Sequence, residues 1–160
     1  MTPLLIGIGN PQRGDDAFGS LLARSLTGRV AARVIDAQDV PESYLFSIAA
    51  SDPDTVLFAD AVDLGQPPGT AALVTAADLA DYLPTTHRVP FALLVEVLHA
   101  ETDAQVVLLA AQPRHTVPDA PLSPEMAATL NSLVETIAEL LAPPRTPAAG
   151  PVAAGRAGSC

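Results

Sequence analysis

Three acidic side chains and one histidine stand at positions where they could share one chemical task. Asp16 follows a short apolar run and a turn, Asp36 and Asp60 each end a predicted strand, and His87 lies in a later polar loop. The carboxyl ends of parallel strands meet at one edge of a sheet, so we expect the acids to point toward that edge. Asp16 and Asp60 offer hard oxygen ligands, and His87 offers a borderline nitrogen. Two carboxylates and one imidazole suit a divalent transition metal with open positions for water or substrate.

The stretch that carries Asp16 predicts a strand, a tight turn and a helix. Residues 4–8 are an apolar run typical of a strand covered on both faces. Gly9-Asn10-Pro11 breaks that strand, because Gly and Asn tolerate left-handed backbone and Pro lacks a donor. Gly14-Asp15-Asp16 then begins a helix that runs to about residue 26. We interpret Asp15 as a helix cap or as an acid that supports its neighbour.

Strand and helix patterns alternate along most of the chain, which favours a mostly parallel sheet with helices on both faces. The predicted strands are 4–8, 32–36, 54–60, 71–75 and 105–111. Further helices are predicted from Pro41, over 78–82, from Pro90 and after the Ser123-Pro124-Glu125 cap, with a polar loop at 83–90. The expected fold is a single three-layer α/β/α domain around a twisted sheet of about five strands. It occupies residues 1–142, and the Pro-, Ala- and Gly-rich residues 143–160 are predicted to be a disordered tail.

Composition and charge exclude several classes of partner. The 160-residue chain has a formal net charge of −10 and no Lys/Arg cluster, which argues against nucleic acid. Its one cysteine, Cys160, excludes an internal disulfide and a Cys-based metal site, and a tail position is a poor place for a nucleophile. Without a basic leader or an apolar run of membrane-spanning length, we expect a cytoplasmic protein that does not contact membranes. The sequence does not give the oligomeric state, and a monomer is favoured.

Two further hypotheses concern other residues. Gly7-x-Gly9 followed by Asp36 invites a dinucleotide interpretation. Gln12 stands where that fingerprint needs its third glycine, Pro11 removes a donor, and acids at the helix start would oppose a phosphate. Dinucleotide binding is therefore the weakest alternative. Of the other histidines, His99 is expected to complement the dipole at a helix end, and His115 to lie in a Pro-rich loop without a chemical role.

An ordered set of motifs resembles the hydrogenase maturation endopeptidases, closest to the subgroup that serves formate-linked hydrogenase. The resemblance runs from Leu4 to about Leu141. Its motifs are Gly7-Ile8-Gly9-Asn10, Gly14-Asp15-Asp16-Ala17-Phe18-Gly19, Val34-Ile35-Asp36, Pro41-Glu42, Ala59-Asp60-Ala61-Val62-Asp63-Leu64-Gly65, Pro68-Gly69, Thr85-Thr86-His87 and Gln112-Pro113. The family commonly has a Gly-Gly pair after the acid of the second strand, where this chain has Ala37-Gln38.

The resemblance implies a specific activity. These proteases remove a C-terminal extension from the precursor of the nickel-containing large subunit of a nickel-iron hydrogenase, after nickel has been inserted. The trio that contacts the metal in the family corresponds to Asp16, Asp60 and His87, which we predict to be both the catalytic and the metal-binding residues. The first of these is often Glu in the family, so Asp16 keeps the charge and shortens the reach. The implied metal is nickel, supplied by the precursor.

The mechanism stays open at the level of the sequence. Nickel held by the precursor could polarise the scissile carbonyl or lower the pKa of a bound water. A carboxylate, Asp16 or Asp60, could instead act as the base. A hypothesis from a different class is a non-catalytic docking or checkpoint module that senses nickel and recruits another protease.

Overall fold

A five-stranded sheet forms the centre of the computed structural model, which describes residues 3–78 and 85–144, and for residues 85–90 the backbone alone. The strands are β1 (Pro3–Ile8), β2 (Arg33–Gln38), β3 (Thr55–Ala61), β4 (Ala71–Thr75) and β5 (Gln105–Ala111). Their order is β2-β1-β3-β5-β4. All neighbouring pairs are parallel except β4 with β5, which places the one antiparallel strand at an edge. The predicted α/β class and strand number are confirmed.

Helices cover both faces of this sheet. The described residues include α1 (Phe18–Leu26), α2 (Leu45–Ala49), α3 (Thr85–Glu101) and α4 (Pro124–Leu140). Short 3-10 turns, Gly14–Ala17 and Pro41–Tyr44, precede α1 and α2. Alternate residues of β1 enter separate apolar clusters: Leu4 and Ile6 join one that includes Leu98, and Leu5 joins another that includes Met126. The side chains of β1 therefore pack alternately against two helical layers, which is why this strand is a continuous apolar run.

The start of α3 differs from the prediction. We expected a polar loop over 83–90 and a helix from Pro90, but the helix begins at Thr85 and contains the backbone of His87. A proline at this position removes one backbone hydrogen bond. The buried side chains that follow it, Phe91 and Leu94, belong to the core and offset that loss. Phe91 packs edge-to-face on Phe58 with ring centroids 5.7 Å apart.

Other boundaries shift by a residue or two, or lie outside the described chain. β5 and β4 have the predicted bounds, whereas β2 continues to Gln38 and β3 to Ala61. Of the short helix predicted over 78–82, the structure describes only a 3-10 turn, Ala76–Asp78. The boundary at 142 and the disordered tail stay predictions, since residues 145–160 lie outside the described part. Among the residues that are described, no helix combines the length and apolar character that crossing a membrane requires.

Candidate functional site

The turn after β1 brings the start of α1 back against the strand end. Gly9 has φ of +131°, and a Cβ at this position would lie 1.8 Å from the backbone oxygen of Asp16. Only glycine permits that approach. Asn10 continues the turn, since its Oδ1 accepts from the backbone N–H of Gln12 at 2.9 Å. The position of Asp16 thus depends on residues six and seven places before it.

Asp16 is oriented by the same turn. The backbone N–H of Asn10 donates to Asp16 Oδ2 at 3.0 Å, and the Asp16 N–H donates to the Arg13 carbonyl at 3.1 Å. Asp16 is half-buried, so its carboxylate keeps access to solvent. A backbone donor fixes one carboxylate oxygen and leaves the other free to accept a ligand.

Asp60 lies close to Asp16, near the carboxyl end of β3. Gly19 of α1 allows this proximity, because a Cβ there would lie 2.0 Å from the Ala59 carbonyl oxygen. Partial burial of the Asp60 carboxyl and, secondarily, the negative charge of Asp16 raise the pKa of Asp60 to about 7, against a weaker opposing effect of the Ala61 N–H. The structure therefore brings together two of the three predicted site residues. Such a pair can bind a cation or exchange a proton near neutral pH.

Asp15 has a different role from the one its sequence position suggests. It is fully buried and accepts hydrogen bonds from the N–H of Arg114 (2.7 Å) and from both the N–H (2.7 Å) and Oγ (2.8 Å) of Ser123. Burial by itself raises the pKa of Asp15, but the hydrogen bonds from Ser123 and Arg114 outweigh it, and the pKa is lowered. Asp15 therefore joins the 3-10 turn of the site to the loop before α4.

Ser123 completes this connection. Its side chain accepts from the Met126 N–H and caps α4, as predicted from the Ser-Pro-Glu sequence. No local pattern predicts its pairing with Asp15, because the two residues are 108 positions apart.

Gln112 holds the loop that follows Asp60. This buried side chain accepts from the N–H groups of Leu64 (2.6 Å) and Gln66 (3.2 Å) through Oε1 and donates to Asp63 Oδ1 (3.2 Å) through Nε2. The Gln-Pro motif after β5 thereby fixes the backbone of the loop that follows Asp60 and β3. Sequence analysis singled out Gln112-Pro113 as a motif of the resemblance but did not predict these contacts of the Gln112 side chain.

Asp36 does not join the pair. Its Oδ2 accepts from Arg24 Nε at 2.6 Å, an ion pair between β2 and α1. The side chain of His87 lies outside the described residues, so its predicted place as third ligand stays a prediction. Among the side chains that are described, no group of three or more His, Cys, Asp or Glu residues is arranged to hold a metal ion.

Of the other two histidines, His99 lies apart from the carboxylate pair, and His115 contacts the backbone of the turn that contains Asp16. His99 is exposed in the last turn of α3, at the dipole position expected for it. His115 packs against Gly14, where a Cβ would lie 2.7 Å from its Nδ1, and its carbonyl accepts from the Asp15 N–H.

The Ala37-Gln38 pair, at the position where the resemblance implies Gly-Gly, has a backbone consequence. Gln38 has φ of +52°, the left-handed region that favours glycine. Its carbonyl accepts from the N–H of Gly9 at 2.7 Å, which ties β2 to the turn that positions Asp16. Gln38 therefore holds this contact in a backbone conformation that is strained for a residue other than glycine.

Comparisons with known proteins agree with the motif resemblance. The family model HycI, hydrogenase maturation protease, matches residues 18–140. The Hydrogenase 3 maturation protease of Escherichia coli K12 is 34% identical over 116 residues, which cover 71% of this chain and 74% of that protein. A putative hydrogenase maturation protease of Methanocaldococcus jannaschii is 31% identical over 84% of this chain and 92% of its own length.

Solved structures show the same fold. The crystal structure of the [NiFe] hydrogenase maturation protease HycI from Thermococcus kodakarensis superposes with a TM-score of 0.78 at 32% identity, covering 88% of this chain and 92% of that one. The solution structure of the endopeptidase HycI from Escherichia coli gives a TM-score of 0.77 at 27% identity, covering 87% and 90%.

Proposed function

Because the chain belongs to the hydrogenase maturation protease family and is thereby a hydrolase, we propose that it removes the C-terminal extension of a nickel-iron hydrogenase large-subunit precursor. The reaction follows nickel insertion, and nickel in the precursor is recognised by Asp16, Asp60 and His87. The observation that carries this proposal is the carboxylate pair at the sheet edge, with the pKa of Asp60 raised to about 7. The protein acts in the cytoplasm as a monomer.

The pair suits a cation that arrives with the substrate. Desolvation and mutual repulsion make the doubly ionised pair unfavourable in the free protein, and a divalent ion would neutralise it. His87 is the third ligand in this proposal, and the helical backbone around it begins at Thr85. A precursor without nickel lacks this positive charge, so recognition of the precursor by the carboxylate pair depends on prior loading of nickel.

In this proposal Asp60 is the general base of the hydrolysis. Its two oxygens allow one to contact nickel and the other to accept a proton from the attacking water. The water oxygen then bonds to the scissile carbonyl carbon, the carbon–nitrogen bond breaks, and the proton passes to the leaving nitrogen. Asp16, held by the Asn10 N–H, keeps its position throughout.

A cleavage assay with purified components tests the proposal. Wild-type protein is mixed with nickel-loaded or nickel-free precursor, and shortening of the precursor is followed by mass spectrometry. We expect cleavage of the loaded precursor alone, and a loss of roughly 100-fold or more in rate for Asp16→Asn and Asp60→Asn. Asp36→Asn is the matched control, because Asp36 is an acid near the carboxyl end of β2 that pairs with Arg24 instead. Full activity of Asp16→Asn would contradict the proposal.

The cleavage assay and a thermal-stability measurement separate the alternatives. Stable binding of the loaded precursor without shortening would favour the docking or checkpoint module. Thermal stabilisation by a dinucleotide would favour the nucleotide hypothesis. The acids at the start of the first helix, one fully buried and one half-buried, make the latter outcome unexpected.

A further inference from the structure

An apolar groove lies between α2 and α3, away from the carboxylate pair. It encloses about 250 Å³ and is lined by Leu45, Phe46 and Ala49 from α2 and by Val97 and Leu98 from α3. Leu98 is fully buried, whereas Leu45, Ala49 and Val97 are half-buried. The groove therefore has an apolar floor that solvent reaches.

Phe46 is the unusual residue of this groove. Its exposed fraction is 91%, although Ile48, two residues later on the same short helix, is fully buried. The core side of α2 is thus occupied by Ile48, and packing among the described residues does not account for the exposed ring of Phe46. Exposed aromatic side chains beside an apolar pocket are typical of the energetic centres of protein–protein interfaces.

The charges around the groove select the partner. Glu42 and Glu101, both exposed, stand among the lining residues, and no lysine or arginine is in the described lining. Arg33 donates to the Ser47 carbonyl on α2 but does not line the groove. A complementary surface has an apolar side chain flanked by Lys or Arg.

The helix α3 contains both the groove's Val97, Leu98 and Glu101 and the backbone of His87. His87 belongs to the first turn of this helix, and Val97 and Glu101 to its last turns. At 1.5 Å per residue, the groove lies roughly 15 to 21 Å along the helix axis from His87. About five or six extended residues span that distance. A protein held in the groove could therefore present a short terminal segment to the first turn of α3, which contains His87, the third ligand of the proposed function.

We propose that the α2–α3 groove is a docking site for the folded body of the precursor, which inserts an apolar side chain flanked by basic residues beside Phe46. This assignment rests on the proposed function. It separates recognition of the precursor's surface from recognition of its nickel. Substrate selectivity would then depend on α2 and α3 as well as on the carboxylate pair.

Affinity for the nickel-loaded precursor tests the assignment. With Phe46→Ala, we expect the Kd for the precursor to rise about tenfold and the KM for cleavage to rise in parallel, with the effect confined to KM. The paired change Glu42→Lys with Glu101→Lys should weaken binding in the same direction and remove most of its dependence on salt. Leu140→Ala is the control, because Leu140 is 77% exposed on α4, outside the groove.

The outcomes separate this inference from the proposed function. If wild-type protein cleaves the precursor and Phe46→Ala behaves like Leu140→Ala, the groove assignment is wrong and the proposed function stands. If the precursor binds in a Phe46-dependent way without being cleaved, the assignment stands and the proposed function is wrong. A wild-type dimer in sedimentation experiments that Phe46→Ala dissociates would also overturn the assignment, since the groove would then bind a second copy of this chain.

Discussion

Replacing Asp60 by Asn should make the protein more stable while removing its proposed activity. Burial and the charge of Asp16 hold the pKa of Asp60 at about 7 in the native state, against 3.8 for an unperturbed aspartate. Ionising this carboxyl therefore costs free energy that the unfolded chain does not pay. Asparagine has nearly the same shape and keeps an oxygen to accept from the Ala61 N–H, but it carries no charge.

The size of the effect follows from the difference between the two pKa values. About three pKa units correspond to an upper bound of roughly 4 kcal/mol. Asp60 is only half-buried, so solvent screening reduces this, and we expect Asp60→Asn to raise the free energy of unfolding by about 1 to 2 kcal/mol at about pH 8. For a domain of this size that is an increase in Tm of about 3 to 6 °C.

The pH dependence gives the sharper test. Between pH 3.8 and about 7 the native state binds more protons at Asp60 than the unfolded state, so wild-type stability falls as pH rises through this window. The advantage of Asp60→Asn should be near zero at about pH 4, grow toward about pH 7 and stay constant above it. Asp16→Asn should give a smaller gain, because the Asp16 charge is the lesser cause of the raised pKa.

Urea denaturation at several pH values measures these differences. Asp39→Asn is the control, since Asp39 is an exposed aspartate and should show no comparable gain. Two results would refute the inference that ionised Asp60 destabilises the native state. One is an Asp60→Asn variant no more stable than wild type at about pH 8, and the other is a stability advantage of this variant that persists at about pH 4.

Three further changes test the backbone around the site. Gln38→Gly should raise the free energy of unfolding by about 0.5 to 1 kcal/mol by relieving left-handed strain at φ +52°, as measured by denaturant titration. Asp15→Asn should lower it by about 2 to 4 kcal/mol near neutral pH, because an amide cannot accept all the hydrogen bonds from Arg114 and Ser123, and this difference should shrink below pH 3.8. Gly9→Ala should place a Cβ against the Asp16 backbone oxygen and abolish cleavage. Gly28→Ala is the control, because a Cβ added there would meet no other atom within 4 Å. An equal loss of cleavage in Gly28→Ala would show that steric contact is not the cause.

Local patterns in the sequence determined the architecture. The alternation of apolar strands with amphipathic helices predicted the three layers, and β4 and β5 have their predicted bounds. Ser123 caps α4 as its neighbours indicated. These features depend on residues a few positions apart, and such local signals can be read without knowing the fold. The sequence also placed Asp16 and Asp60 at the same edge of the sheet, through the rule for parallel strands.

Tertiary structure decided the properties that depend on distant residues. The pKa of Asp60 is raised because β3 buries its carboxyl next to Asp16, 44 positions earlier in the chain. Asp15 connects to Ser123 rather than capping its own helix, and α3 begins before Pro90 because the core it covers offsets one lost hydrogen bond. Local propensity contributes about 1 kcal/mol or less per residue, so burial and long-range hydrogen bonds of larger free energy override it wherever the two disagree.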